Sequence, residues 1–316
     1  MNGIGLLFPG QGAQTVGMGQ DLAEHYASAR AVFDQANEAL DLELDRLCFE
    51  GPLEELSRSD VAQPAILTVS IAALRAMQEE AGASLDPVAT AGLSLGEYSA
   101  LVAAGAVDFR TAVRLVRTRG LAMQKACEAN PGTMYSIIGL EDNPVEQACE
   151  SAREQTGGGV WPANYNCPGQ LVISGEDEPA RVAADLCTAM GARRAIRLNV
   201  AGAFHTELMQ PAAERMAAEL RAASINAPSC PVVANVTGSP VADADEIRRL
   251  LVAQIVSPVR WVDCMNWFIA QGAERYYEVG PGRVLQGLLR RIDPSRTCSP
   301  INAAQDVRTY AERKDT

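Results

Sequence analysis

A serine lies at the centre of a glycine-flanked pentapeptide. Gly92-Leu93-Ser94-Leu95-Gly96 fits the pattern G-x-S-x-G, between a predicted strand at 88–93 and a predicted helix that starts at Ser94. In that context a sharp turn lifts the serine hydroxyl above the sheet edge, at a helix N-terminus. The pentapeptide by itself also fits an ordinary strand-to-helix turn. The surrounding strand and helix therefore support the interpretation of Ser94 as a nucleophile.

A serine hydroxyl needs a base to accept its proton at neutral pH. The chain has two histidines, His25 and His205. His25 follows Glu24 on an early helix, and its neighbours indicate a solvent-exposed face. His205 lies in Ala203-Phe204-His205-Thr206, where the chain returns to the larger predicted domain. We therefore predict that His205 is the general base.

The loop after the first predicted strand could stabilise negative charge. Its glycine-flanked Gln11 can aim backbone N–H groups at a developing oxyanion, together with the amide of Leu95. A dinucleotide-binding loop is a poor alternative. The third glycine of its fingerprint would fall at Thr15, and Pro9 interrupts the expected turn.

Arg119 lies on the predicted helix that follows the serine. Its planar guanidinium suits a carboxylate, although the residues alone favour an exposed arginine. Gln254 is interpreted as a helix-end residue. Trp261, Trp267 and Phe268 are interpreted as core or interface aromatics, since nothing near them indicates a stacking platform.

Composition excludes several classes of protein. The 316 residues are 47% hydrophobic and 21% charged, with a net charge of −12. That composition favours a packed core, and the acidic balance argues against nucleic-acid binding. The sequence has neither an apolar stretch long enough to span a membrane nor a basic-then-apolar N-terminus, so we expect a cytoplasmic protein with no membrane partner.

Cysteine and histidine usage argues against disulfides and against a histidine-based metal site. The eight cysteines are scattered with no C-x-x-C pair, which favours free thiols in a reducing cytosol over a disulfide framework. Two histidines and no H-E-x-x-H motif make a histidine-based metal site unexpected.

The order of predicted elements indicates an α/β fold. Short apolar runs ended by glycine or proline predict buried strands at 3–8 and 88–93, and helical periodicity predicts helices at 22–44 and at 64–81, with Pro64 in the first turn. Alternation of this kind favours a parallel sheet buried on both faces. After residue 200 we predict helices at 209–223, 245–255 and up to 289, strands at 232–236 and 276–279, and a loosely held tail after Arg296.

The middle of the chain has a different pattern. Residues 130–200 predict the order β-α-β-β-α-β, which matches a ferredoxin-like unit. We therefore predict a small ferredoxin-like subdomain at 130–200, inserted into a larger catalytic subdomain formed by 1–129 and 201–316.

Seven stretches in this order resemble the malonyl-CoA:acyl carrier protein transacylases and the acyltransferase domains of fatty-acid and polyketide synthases. The stretches are FPGQGAQTVGMG (8–19), GLSLGEYSALVAAGAV (92–107), LVRTRGLAMQ (115–124), NYNCPGQLVISG (164–175), GAFHTELM (202–209), QIVSPVRW (254–261) and YEVGPGRVLQGL (277–288). They span nearly the whole chain. The resemblance implies an α/β-hydrolase-like large subdomain with a ferredoxin-like small one.

The resemblance also implies roles for individual residues. Ser94 would be acylated, with His205 as its base. Arg119 would hold the free carboxylate of the malonyl group. Gln254 would orient the imidazole through its main-chain carbonyl.

The remaining implied roles concern the oxyanion and the substrate. The amides of Gln11 and Leu95 would form the oxyanion hole, and Asn166 would help to position the substrate. Phe204 would fill the space that an α-methyl group needs. One position departs from the family, because Leu93 stands where most members have histidine, which we interpret as a tolerated variation.

The implied activity is transfer of a malonyl group from malonyl-CoA to the phosphopantetheine thiol of acyl carrier protein, by a ping-pong route that supplies fatty-acid synthesis. No cofactor and a monomer are expected. Alternatives are a serine esterase, a trans-acting polyketide acyltransferase or a non-catalytic interaction module. Because acyl carrier proteins are acidic like this chain, docking requires a local basic surface. Candidate residues are Arg193, Arg194, Arg197, Arg283, Arg290 and Arg291.

Overall fold

The computed structural model describes residues 3–82 and 85–314, which form two β-sheets surrounded by helices. The strands are β1 (Gly3–Phe8), β2 (Ala89–Gly92), β3 (Thr133–Ile138), β4 (Val160–Cys167), β5 (Gln170–Gly175), β6 (Arg194–Arg197), β7 (Ala273–Val279) and β8 (Thr297–Ile301). The helices before β3 are α1 (Gln20–His25), α2 (Ala27–Leu40), α3 (Leu44–Glu50), α4 (Leu53–Leu56), α5 (Ser59–Ala81), α6 (Gly96–Ala103) and α7 (Phe109–Ala129). The later helices are α8 (Asp142–Thr156), α9 (Asp177–Ala189), α10 (Gln210–Ala222), α11 (Ala244–Val256), α12 (Trp261–Ala270), α13 (Val284–Ile292) and α14 (Ala304–Lys314), with a 3-10 turn at Glu207–Met209.

The first sheet is parallel and has the strand order β2-β1-β7-β8. Both of its faces are covered. Leu6 and Phe8 of β1 pack into one apolar cluster, and Leu7 between them packs into another on the opposite face. Because successive side chains of a strand face opposite sides, a strand buried on both faces has an unbroken run of apolar residues in its sequence.

The second sheet is antiparallel, with the order β4-β5-β3-β6. Helices α8 and α9 pack on it over a separate apolar cluster that includes Ile137, Leu171 and Ile173. The element order β3-α8-β4-β5-α9-β6 is the predicted ferredoxin-like order. One short parallel bridge, between Asn164 and Val259, joins its β4 edge to the rest of the chain.

Three local predictions were wrong. Helix α5 begins at Ser59, so Pro64 lies within the helix and not in its first turn. Residues 232–236 form only isolated bridges, from Val232 to Thr90 and from Val233 to Pro240, and not a strand.

Within the described residues, none of the helices is both long and apolar enough to cross a membrane.

The third correction concerns the C-terminal tail. Its described part is ordered: β8 extends the parallel sheet, and α14 packs against the large core cluster. Ala304, Val307 and Tyr310 are buried at three-residue spacing, which places them on one helix face. The ring of Tyr310 meets that of Tyr277 edge-on, with centroids 5.0 Å apart. A few correctly spaced apolar residues thus fix a tail whose composition is mostly polar.

Candidate active site

The G-x-S-x-G segment forms a sharp turn between β2 and α6. Ser94 has a φ angle of 51°, in the left-handed region that costs a non-glycine residue about 1–3 kcal/mol. The two flanking glycines allow the turn. A β-carbon on Gly92 would lie 1.9 Å from the carbonyl carbon of Gly96, and one on Gly96 would lie 2.2 Å from the carbonyl oxygen of Phe8. The spacing of the pentapeptide therefore reflects close backbone packing beneath the serine.

Ser94 and His205 are in hydrogen-bond contact. The distance from Ser94 Oγ to His205 Nε2 is 2.9 Å, and the histidine is 5% exposed. His205 Nδ1 lies 2.9 Å from the backbone carbonyl oxygen of Gln254. A carbonyl can only accept, so Nδ1 carries the proton and Nε2 is left to accept the serine proton.

Gln254 can supply that carbonyl because of its place in α11. The helix ends at Val256, so Gln254 lies in its last turn, as predicted. The last four carbonyl groups of a helix have no intrahelical partner. The imidazole of His205 uses one of them, which replaces the aspartate of a hydrolase triad with a neutral group.

Burial, together with the smaller effect of the positive charge of Arg119, lowers the pKa of His205 to about 4. The imidazole is therefore neutral at pH 7 and free to accept a proton. A base that is already protonated at neutral pH could not do so.

We expect an NMR titration to show this shift directly. In a His25→Gln variant only one imidazole remains, and its titration midpoint should lie near pH 4, well below the ordinary 6.5. Adding Arg119→Ala should move the midpoint upward, because a positive charge that disfavours the imidazolium is removed. Circular dichroism over the same pH range checks that the fold persists. A midpoint at or above 6.5 in the folded protein would contradict the burial argument.

Arg119 is buried, with 1% exposure, so the alternative of an exposed arginine is wrong. Its Nη2 donates to Ser94 Oγ at 3.0 Å and to the Gln254 side-chain oxygen at 3.0 Å, and its Nη1 donates to Gln63 Oε1 at 2.9 Å. Its Nε has no hydrogen-bond partner within the described part of the chain. No carboxylate is paired with this guanidinium among those contacts, which suits a site that receives an anion.

Two residues of the site were missed by sequence reasoning. Asn235 Oδ1 accepts from the backbone N–H of Ser94 at 2.6 Å, and Asn235 Nδ2 donates to the Gly92 carbonyl at 2.8 Å. Gln63 is fully buried on α5 beside Arg119. Neither belongs to a local motif. Only the three-dimensional contacts identify them.

Ser94, Arg119 and His205 line a cleft of about 630 Å³. Gln11, Asn166 and Phe204 also line it, as do Leu93 and the exposed Val284. Leu95 is fully buried next to Ser94 and immediately precedes the first residue of α6. Six of the eight catalytic and substrate-binding candidates thus line this cleft. Of the other two, Gln254 hydrogen-bonds Arg119 and His205, and Leu95 follows Ser94 in the chain.

Three of these cleft residues have contacts or burial that bear on their roles. The side chain of Gln11 donates to Ser59 Oγ at 3.2 Å, which fixes the loop against α5. Asn166 is 9% exposed, and its buried Oδ1 has no partner in the described residues. An unpartnered acceptor beside a cleft suits a ligand donor. Phe204 is 7% exposed directly before His205.

Leu93, the position at which the sequence departs from the pattern expected from the resemblance, makes apolar contacts. Its side chain packs against the apolar cluster that contains Trp261, Leu285 and Phe268. The backbone carbonyl of Leu93 accepts from the N–H of Gly96 at 2.9 Å, which closes the turn independently of the side chain. Apolar contact therefore holds the side chain of Leu93 in place.

This geometry supports acyl transfer through a serine ester. A serine hydroxyl contacts a neutral imidazole, a backbone carbonyl orients that imidazole, and a buried guanidinium lies within 3.0 Å of the nucleophile. The guanidinium adds a preference for an acyl group that ends in an anion.

Comparisons with known proteins agree with this arrangement. The profile of the acyl transferase domain family matches residues 6–310. The malonyl CoA-acyl carrier protein transacylase of Escherichia coli K12 is 46% identical over 302 residues, which cover 96% of each chain. That of Bacillus subtilis 168 is 44% identical over 319 residues, covering 100% of this chain and 99% of the relative.

A solved structure is also similar over nearly the full length. A malonyl-transacylase in complex with its type II PKS acyl-carrier protein superimposes with a TM-score of 0.95 at 41% identity, covering 98% of this chain and 99% of the other. This similarity confirms the predicted fold class. The chain, an acyltransferase, belongs to the malonyl-CoA:acyl carrier protein transacylase family, as the seven sequence stretches had indicated.

Proposed function

We propose that this protein transfers the malonyl group of malonyl-CoA to the phosphopantetheine thiol of acyl carrier protein, through a malonyl ester on Ser94. The observation that supports this most directly is the convergence on one hydroxyl. Ser94 Oγ lies 2.9 Å from His205 Nε2 and 3.0 Å from Arg119 Nη2. Nucleophile, base and anion-binding group therefore meet in one cleft.

In the first half-reaction Ser94 Oγ attacks the thioester carbonyl while His205 Nε2 takes the hydroxyl proton. The tetrahedral oxyanion is held by the backbone amides of Gln11 and Leu95. Leu95 lies at the N-terminal end of α6, where amide groups have no intrahelical partner. Collapse of this intermediate breaks the carbon–sulfur bond, and coenzyme A leaves as a thiol with the proton from His205.

The second half-reaction runs the same steps in reverse. The pantetheine thiol gives its proton to His205 and attacks the malonyl ester, and Ser94 leaves with that proton restored. One thioester is exchanged for another, and every group that moves a proton or stabilises charge belongs to the protein. The proposed reaction therefore needs no cofactor.

Arg119 is the proposed partner of the free malonyl carboxylate. Its Nη1 and Nη2 now donate to neutral oxygens, and a carboxylate would provide stronger, charge-assisted acceptors. Phe204 is proposed to limit the space beside the α-carbon, and Asn166 Oδ1 to accept from the pantetheine arm. A pocket discriminates weakly against one extra methyl, so a preference for malonyl over methylmalonyl is expected rather than exclusion.

The proposed protein partner is acyl carrier protein. The six candidate arginines are all exposed. Arg283 precedes Val284, which lines the cleft, so one exposed positive charge lies close to the cleft. Arg291 donates to the Gln170 side chain, and Arg197 pairs with Asp177, which partly offsets its charge. Arg283 is therefore the better supported docking candidate.

A pathway and a location complete the proposal. We propose that the malonyl product enters fatty-acid synthesis; the similar complex with a type II PKS acyl-carrier protein makes a polyketide pathway the alternative. A reducing, cytoplasmic location is supported by eight free cysteines, seven of them buried.

The test is the intact mass of the protein after mixing with malonyl-CoA. We expect a gain of one malonyl group, located on Ser94 by peptide mapping and lost again when holo-acyl carrier protein is added. A Ser94→Ala variant should gain nothing. An esterase would instead release malonate without waiting for the carrier, and a non-catalytic module would show no adduct with malonyl-, methylmalonyl- or acetyl-CoA.

A further inference from the structure

A buried carboxyl group lies behind the nucleophile, and the proposed mechanism does not use it. Glu97 is in the first turn of α6 and is 2% exposed. A carboxyl group is rarely buried to this degree without partners that satisfy it. Its contacts therefore indicate what it does in the site.

Glu97 accepts two hydrogen bonds on one oxygen. Its Oε2 lies 2.8 Å from Nε2 of Gln254 and 3.0 Å from the backbone nitrogen of Asn235. Both donors belong to residues that also contact Ser94: Gln254 Nε2 donates to the Ser94 carbonyl at 3.0 Å, and Asn235 Oδ1 accepts from the Ser94 N–H. Glu97 thus supports the nucleophile turn from two sides.

The contact with Gln254 also determines which way its amide faces. A primary amide has an oxygen that accepts and a nitrogen with two N–H donors. Here the two donors are directed to Glu97 and to the Ser94 carbonyl, so the oxygen faces Arg119 and accepts from its Nη2 at 3.0 Å. If the amide turned over, its NH₂ group would face a guanidinium that can only donate.

We infer that Glu97 is a positioning residue: by accepting from Gln254 it fixes the orientation of that amide, and so aims Arg119 at the acyl group. Without Glu97, the two N–H groups of the Gln254 amide share one remaining acceptor, the Ser94 carbonyl. The reversed amide orientation then loses its disadvantage, and Arg119 loses an ordered acceptor. The inference rests on the proposed function, since it concerns how the malonyl carboxylate is selected.

The acceptor role does not require a negative charge. Burial raises the pKa of Glu97 to about 7, while the hydrogen bonds from Asn235 and Gln254 act in the opposite direction. A protonated carboxyl group still has an oxygen that can accept. A glutamine at this position keeps that oxygen and removes the charge, so it separates the two properties.

The test compares Glu97→Gln with Glu97→Met, which has a similar length and no comparable acceptor. The readout is the ratio of kcat/KM for malonyl-CoA to that for acetyl-CoA. We expect Glu97→Gln to keep this ratio within about threefold of the unaltered protein. Glu97→Met should lower it roughly 10–100-fold, the loss typical of a hydrogen bond to a charged group. Glu128→Gln, an exposed glutamate on α7, is the matched control.

A double-mutant cycle identifies the route of the effect. In a Gln254→Leu background the amide is gone, so Glu97→Met should change the ratio little further. If Glu97→Met does not fold, Glu97→Asp is the substitute, because its side chain is one methylene shorter and moves the carboxylate oxygen away from Gln254. It should lower the ratio to a smaller extent. An equal loss on both substrates, or an unchanged ratio in the folded methionine variant, would overturn the inference. Failure of the unaltered protein to transfer malonyl would instead refute the proposed function.

Discussion

Replacing His205 with alanine is expected to slow acylation of Ser94 by malonyl-CoA roughly 10²–10⁴-fold, the range that a positioned general base contributes. The imidazole is 2.9 Å from the serine hydroxyl and is neutral because burial lowers its pKa. With alanine in its place, the remaining hydrogen-bond partner of the hydroxyl among the described residues is Arg119, which can donate but cannot accept its proton. Single-turnover acylation followed by intact mass measures the rate of this step alone.

The chain offers a matched control in its other histidine. His25 is exposed on α1, contacts Asp21 and is not among the residues that line the cleft. His25→Ala should leave acylation within about twofold of the unaltered rate, as expected for a surface substitution. Equal effects of the two substitutions would show that His205 does not act as the base.

Some rate should survive in His205→Ala. Substrate binding by Arg119 and the proposed oxyanion donors do not depend on the imidazole, and such groups retain part of the catalysis when a base is removed. Raising the pH should recover more activity in this variant than in the unaltered protein, because hydroxide can then replace the missing base.

Local sequence patterns sufficed to select Ser94 and His205, whose side chains the structure places in hydrogen-bond contact. Ser94 was identified because the turn that exposes it needs glycine on both sides, and a glycine requirement is visible in the sequence. His205 was identified because the composition leaves few alternatives. Apolar runs predicted the strands of the parallel sheet, since strands buried on both faces have few polar residues. The second sheet was predicted from the element order β-α-β-β-α-β.

Residues that act through long-range contacts could not be found in this way. Asn235 follows Ser94 by 141 positions and contacts it through one side-chain oxygen, which no spacing rule reveals. Arg119 shows the same limit, since its helix carries other arginines and only the folded structure shows which of them is buried. The proposed role of Arg119 came from the resemblance to a family, since the residues alone favoured an exposed arginine.

Replacing Arg119, which is buried beside the nucleophile, is expected to change substrate preference more than any other substitution proposed. Arg119→Ala should lower kcat/KM for malonyl-CoA roughly 10²–10⁴-fold, because two charge-assisted hydrogen bonds to the carboxylate are lost, each worth about 1.5–3 kcal/mol. The acetyl group makes no such bonds. Its kcat/KM should stay level or rise, so that malonyl preference disappears.

Two further variants make this result specific to the guanidinium. Arg119→Lys keeps the charge but not the planar pair of donors. We therefore expect its kcat/KM for malonyl-CoA to lie between the values of the unaltered protein and the alanine variant. Arg114→Ala removes an exposed arginine one and a half turns earlier on α7 and should change neither substrate. Thermal unfolding of each variant separates lost recognition from lost stability, since alanine at 119 leaves Gln63 and Gln254 with unpaired oxygens. A parallel fall for malonyl- and acetyl-CoA would mean that Arg119 supports the nucleophile alone, and the carboxylate would then have to be recognised elsewhere in the cleft.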